Sequence, residues 1–205
     1  ASNRLAAVAA GEADAAYGLP GELFAQAQEE GILNPIAIKG NLIWFAFMNS
    51  LRDPYRDPRT RQAMNWATPR QDILDTTFGG LGNPWTTVMT SIWEGICNDC
   101  APWGADPDFA EANKLLDAAG QADGFDVTMD TNSSRAQDER MAVLMQDAYK
   151  NINVNLSINP QPEGPYIAEG TGKQKVMAFW QDAYIQPDPI YFLALGYDAG
   201  LSGIN

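Results

Sequence analysis

The chain contains no histidine among its 205 residues, only two cysteines, and 13 Lys and Arg side chains against 26 Asp and Glu, for a formal charge of −13. Each shortage removes a class of function. Without histidine there is no His-dependent nucleophile triad, no general base with an ordinary pKa near neutrality and no imidazole ligand for zinc or nickel. Excess acid repels phosphate backbones and anionic membrane surfaces, so nucleic acid is not an expected partner. The acidity reads first as a solubilising surface. Cys97 and Cys100 stand as a lone C-x-x-C, too few thiols for a four-cysteine zinc site. Pro102 and Gly104 place the pair in a loop rather than at the helix start that activates a redox thiol, so a structural pair, bonded in a local disulfide or inert, is expected. No run approaches the roughly 18 apolar residues of a membrane span. Gly79-Gly80-Leu81-Gly82 lacks the Lys-Ser/Thr of a P-loop and the strand that precedes a dinucleotide turn. No cofactor and no metal site are expected.

What is present is a well-mixed globular sequence, 45% hydrophobic with 10% aromatic residues. No charged and apolar leader opens it; Ser2-Asn3-Arg4-Leu5 starts a helical pattern, as a mature or excised chain would. A short helix over residues 3–10 stops at Gly11, Ala13 to Tyr17 is a candidate strand, and a helix over 22–30 stops at Gly31. Strands are expected over 32–38 and 42–48. Asp57-Pro58, Thr68-Pro69 and Asp106-Pro107 each set a capping side chain before a proline, which predicts three helix starts. The third helix carries Phe109, Ala112, Leu115, Leu116 and Ala119 at helical spacing and ends at Gly120. Residues 79–105 read as a long packed loop anchored by Leu81, Trp85, Ile92 and Trp93.

The last third alternates: strand 125–130, helix 135–151, strand 154–158, helix 166–169, strand 176–180. Ser134 and Gln137 have capping-box spacing, and Met141, Leu144, Met145, Ala148 and Ile152 form one stripe. No internal repeat or low-complexity tail interrupts this α/β pattern, which predicts a central sheet flanked by helices. In open sheets of this kind ligands sit beyond the strand carboxyl ends, which nominates Tyr17, the residues after Met48, Thr131 to Ser133 with Asn132 between them, and Trp180 to Tyr184. Within the last group an indole lies beside the carboxylate of Asp182, followed by Tyr184 and Asp188, a setting suited to an ammonium-bearing ligand. Paired carboxylates, Asp182 with Asp188 or Asp126 with Asp130, keep a glycosidase-type secreted hydrolase open as the alternative.

Four blocks, in order, carry a resemblance. Asn3-Arg4-Leu5 through Gly11-Glu12-Ala13-Asp14 is similar to a helix followed by G-E-x-D. Asp57-Pro58-Arg59-Thr60-Arg61-Gln62-Ala63-Met64-Asn65-Trp66-Ala67 is similar to D-x-R-V-R-Q-A-L-x-x-A. Asp108 to Gly120, with Lys114-Leu115-Leu116 and Ala118-Ala119-Gly120, is similar to A-K-x-L-L-x-E-A-G. The helix from Arg140 to Ile152 with Val154 beyond it is similar to a long helix before a G-I-x-V strand, Asn153 standing where glycine or isoleucine is commoner. Together they resemble the dipeptide, oligopeptide and nickel-binding proteins of bacterial ABC transporters, extracellular solute-binding protein family 5. The resemblance implies a periplasmic-binding-protein type II-like lobe, with residues 1–205 forming one lobe, the second of a two-lobed receptor whose first lobe and return segment lie elsewhere. It implies a non-enzymatic monomer, periplasmic or extracellular, that binds a peptide or other small solute between its lobes and delivers it to a membrane permease. It also implies ligand contacts from Trp180, from Asp182 in a W-x-D segment one residue shorter than the family's W-x-x-D, and from the Asn132-Ser133 loop, with Tyr184 and Tyr17 nearby.

Overall fold

The computed structural model describes residues 2–31, 33–37, 42–84, 86, 102–172 and 174–183. Its elements, in chain order, are helices α1 (Ser2–Ala9) and α2 (Gly21–Glu30), strand β1 (Leu42–Met48), helices α3 (Pro58–Trp66), α4 (Arg70–Phe78) and α5 (Phe109–Ala118), strand β2 (Phe125–Asn132), helix α6 (Ala136–Tyr149) with a 3-10 turn over Lys150–Ile152, strand β3 (Val154–Gln161), helix α7 (Glu163–Thr171) and strand β4 (Met177–Ala183).

The strands form one mixed sheet in the order β1-β4-β2-β3. β2 runs parallel to β3 along its whole length, Phe125↔Val154 to Asn132↔Gln161, and parallel to β4 at Met129↔Met177 and Asp130↔Ala178. β1 is antiparallel to β4, from Leu42↔Ala183 to Met48↔Met177. Period-2 alternation sends Trp44, Ala46 and Met48 of β1, Val127 and Met129 of β2, Val154 and Leu156 of β3, and Met177 and Phe179 of β4 to one face. There they meet Met64, Leu116, Met141, Met145 and Ile152 of the helical layer in the main core. The opposite face is divided: Phe45, Phe47, Ala178 and Trp180 pack under Tyr166 of α7, whereas β2 and β3 present Asp126, Thr128, Asn155 and Asn159 outward.

Several expectations are corrected by local chemistry. Residues 13–17 and the described part of 32–38 form no strand, and among the described residues neither segment has a partner strand beside it. Asp57 caps α3 as expected, accepting the Arg59 N–H at 2.8 Å. Thr68 does not cap α4. Its hydroxyl instead bonds the Met64 carbonyl at 2.7 Å and the Tyr149 hydroxyl at 3.1 Å, because a side chain at a helix C-terminus can reach back one turn. The third helix is capped by Asp108, which accepts the Glu111 N–H at 3.0 Å, rather than by Asp106. Ser134 does not close a capping box; the N-cap of α6 is Arg135, without a side-chain cap bond. Of the expected loop anchors, Leu81 is exposed, and Trp85, Ile92 and Trp93 lie outside the described residues, as do Cys97 and Cys100.

Candidate ligand-binding site

Because β2, β3 and β4 are parallel, their carboxyl ends share one edge of the sheet, where the β2–α6 and β3–α7 turns meet. β1 runs the other way, so the residues after Met48 fall at the opposite end. There Asn49 donates its backbone N–H to Val176 at 2.9 Å and its side-chain amide to the Lys175 carbonyl at 3.0 Å, a structural role in place of the expected ligand-facing one.

At the carboxyl edge the β2–α6 turn is held by a closed set of bonds. Ser133 N–H donates to the Gln161 carbonyl at 2.9 Å, Ser134 N–H to Asn132 Oδ1 at 2.9 Å, and Arg135 N–H to the Asn132 carbonyl at 2.9 Å. From α6, Asp138 Oδ2 accepts the Asn132 N–H at 3.2 Å. Asn132 and Asp138 are buried, while Ser133 and Ser134 are exposed. Burial pushes the Asp138 carboxyl above its ordinary range; the Asn132 N–H and the Arg135 charge oppose that rise.

Trp180 is the fourth of seven residues in β4 rather than the last residue of its strand. Two residues past Ala178, which is paired with Asp130 of β2, Trp180 takes the face that α7 covers. The half-buried indole stacks on Tyr166, with centroids 6.4 Å apart and planes at 18°, and meets Phe47 edge-on at 6.5 Å. Gly170 of α7 lies directly over it: a Cβ there would stand 2.9 Å from Trp180 Cζ3. A glycine is therefore what lets the helix close on the ring. The Tyr166 hydroxyl donates to the Phe179 carbonyl, and burial first, then the Asp138 charge, holds its pKa well above the usual phenol value.

Lys175 fixes this helix to the sheet. Its side chain is 1% exposed, its ammonium lies 3.3 Å from Asp130 Oδ2 and 3.2 Å from Glu169 Oε2, and it sits 4.6 Å above the Tyr166 ring. It also donates to Gln161 Oε1 at the end of β3. Hydrogen bonds from Gln161 and Lys175 lower the Glu169 pKa. Lys175, Tyr166, Gly170 and Asp138 are the positions that reading the sequence for ligand chemistry missed; the one available signal was a lone cation entering the apolar run Val176-Met177-Ala178-Phe179.

The nominated residues do not all meet. Tyr17 is 87% exposed, and its contacts are with Arg4 of α1, which donates to its carbonyl at 2.6 Å and lies 5.9 Å from its ring centroid. Asp182 pairs with Ile43 in the sheet register, its side chain being outside the description, and Tyr184 and Asp188 lie outside the described residues. Asp126 and Asp130 are four positions apart on β2, about 13 Å at strand rise, beyond the roughly 5–9.5 Å used by glycosidase pairs. Each accepts an amide N–H from a β3 asparagine, Asn155 at 3.0 Å and Asn159 at 2.7 Å. The hydrolase alternative finds no support there. Among the described residues no helix is long and apolar enough to cross a membrane.

Comparison with known proteins agrees with this architecture. The glutathione-binding protein GsiB of Salmonella typhimurium is 30% identical over 173 residues, 84% of this chain and 33% of its own length. The chain thus spans about a third of that curated relative. The periplasmic binding protein DppA of Helicobacter pylori, solved with the peptide STSA, superposes with a TM-score of 0.79 at 23% identity, over 94% of this chain and 37% of that one. A dipeptide-binding protein of Pseudoalteromonas sp. SM9913, solved with Met-Leu, superposes at 0.77 and 24% identity over 100% of this chain and 41% of its own. The mixed sheet with flanking helices is therefore a lobe of the type II periplasmic-binding-protein fold. With the model for "Bacterial extracellular solute-binding proteins, family 5 Middle" matching residues 1–202, the chain belongs to the bacterial extracellular solute-binding proteins of family 5.

Proposed function

We propose that this chain is one lobe of a two-lobed, monomeric receptor that captures a small peptide-like solute outside the cytoplasm and hands it to an ABC importer, without catalysing any reaction on it. The observation that carries the reading is the carboxyl edge of the parallel strands, which holds the Asn132-Ser133 turn at the end of β2 and, on the adjacent strand β4, the half-buried indole of Trp180 stacked on Tyr166. Turns at that edge are where sheets of this kind take ligands, and the relatives named above bind glutathione, a peptide and a dipeptide. Asp182, Tyr184 and Tyr17 are proposed as further ligand contacts. A rigid aromatic shelf beside a hydrogen-bonding turn suits a short, polar, flexible molecule, whose ordering cost is offset by contacts that are already in place.

Trp180→Ala tests this. In calorimetric titration of the full-length protein with glutathione and with Met-Leu, the variant is expected to lose roughly thirtyfold in affinity for the ligand that binds, as a buried aromatic anchor does. The half-exposed indole should contribute less to stability than the roughly 3–5 kcal/mol of a core tryptophan. Unchanged affinity in the variant, or no heat from either ligand with the parent protein, would remove the reading.

A further inference from the structure

Gly170 is buried in the last turn of α7, and its φ is not among the positive ones of the chain, so the backbone there asks for no glycine. Glycine weakens a helix relative to alanine. What the position requires is the missing Cβ. An alanine methyl would stand 2.9 Å from Trp180 Cζ3, 3.6 Å from Cη2 and 3.7 Å from Cε3. All three atoms belong to the six-membered ring of the indole, so the backbone of α7 lies directly against that ring. Tyr166, four residues earlier on the same helix and therefore on the same face, stacks on the indole, and Phe47 of β1 meets it edge-on. Gly164, near the start of α7, is different: nothing lies within 4 Å of the point where its Cβ would be.

If a methyl group is placed at 170, either the helix or the ring must give way, and the two are not equally held. The helix is pinned to the sheet: the Tyr166 hydroxyl donates to the Phe179 carbonyl, and Glu169 Oε2 accepts the Gln161 side-chain amide at 2.9 Å and lies 3.2 Å from the Lys175 ammonium. The ring atoms in contact are the far end of a half-buried side chain, which can turn. Carbon atoms in ordinary contact sit about 3.5–4.0 Å apart, so the methyl drives the ring away from α7 by roughly 0.5–1 Å. Resting on the reading of Trp180 as a solute contact, we infer that Gly170 is a positioning residue of the solute site. It touches no solute itself; the absence of its side chain sets where the indole stands, and a larger residue there lowers solute affinity while leaving the lobe folded. Binding groups work when held within about 0.5 Å of their productive geometry, and the displacement is at least of that size.

The test titrates Met-Leu and glutathione calorimetrically into the full-length protein and into its Gly170→Ala, Gly164→Ala and Trp180→Ala variants, with melting temperatures recorded alongside. For the probe that binds the parent, Gly170→Ala is expected to weaken binding about tenfold. Its melting temperature should stay level or rise, because alanine is the better helix former and the clash is relieved by the ring. Gly164→Ala makes the same exchange on the same helix clear of the ring, and should bind as the parent does. Near-UV circular dichroism reads the indole itself: subtracting the spectrum of the matching protein that also carries Trp180→Ala leaves the Trp180 band, which should differ between Gly170→Ala and the parent. Weak binding by Gly170→Ala with an unchanged Trp180 band, or with a melting temperature well below the parent's, overturns the inference, because the backbone rather than the ring would then have moved. If Trp180→Ala weakens binding and Gly170→Ala does not, the receptor reading stands and the inference alone falls. If Trp180→Ala binds as the parent does, or neither probe binds the parent, both fall.

Discussion

Replacing Lys175 with Met is expected to lower the unfolding free energy by about 3 kcal/mol, the lower end of the cost of removing one partner of a buried ion pair. Methionine matches the length of the lysine stem, so the loss measures charge and hydrogen bonding rather than volume. Its carboxylate partners are not equivalent. Asp130 is 13% exposed and Glu169 is 38% exposed, so Asp130 is the group left without a counter-charge, whereas Glu169 turns to water. Urea unfolding of Lys175→Met against Glu169→Gln checks this, with the second variant expected to lose little. A Lys175→Met protein as stable as the parent would refute the reading, because it would mean that Asp130 is not left as an uncompensated buried charge. The Glu169 contribution also has a sign in pH. Its carboxylate pKa is depressed in the folded state, so the stability it adds is present above the ordinary glutamate pKa and is lost as pH falls through the lower folded value.

Gly124→Ala is expected to cost roughly 4 kcal/mol or more, or to prevent folding. At φ +77° the position favours glycine, and a Cβ there would overlap the carbonyl of Asn153, backbone that cannot rotate away. The contact is where β2 and β3 begin side by side, at Phe125↔Val154, so relief would require parting the two strands. Gly120→Ala is the matched comparison. Gly120 has φ +74° but open space around the Cβ direction, so it should lose only the roughly 1–2 kcal/mol of left-handed strain. Thermal melting of both variants isolates the steric contribution, and equal losses would refute the assignment of the larger cost to the clash.

Most of the helix–strand alternation was legible because it is written in local periodicity. Of the stripe Met141, Leu144, Met145, Ala148 and Ile152, which runs from α6 into the 3-10 turn, Leu144 is half-buried and the others are buried as their 3.6-residue spacing implies, and Leu42–Met48 forms a strand over the span its apolar run marks. Caps were legible only in part. Asp57 works through the backbone N–H of Arg59, two residues on, but Thr68 found a better partner in Tyr149, 81 residues away, and no local rule contains that competition. Strand length was underestimated for β4 because Gln181 and Asp182 look like loop residues. Pairing with Trp44 and Ile43 of β1 carries them into the sheet.

The sequence by itself determined what this protein lacks and which family it resembles: no imidazole, an excess of acid, and four blocks that occur in the order expected of that family. Those are properties of composition and of short segments, which need no knowledge of what lies across the fold. Tertiary structure alone decided the direction of β1, and with it the removal of the residues after Met48 from the carboxyl edge of the parallel strands. It also decided that Trp180 rests on Tyr166 beneath Gly170, and that Lys175 is shut inside a ring of oxygen atoms. The physical reason is the same in each case. Side-chain period fixes which face a residue takes, but strand direction and the burial of a charge depend on partners distant in sequence, whose contacts form only when the whole sheet closes.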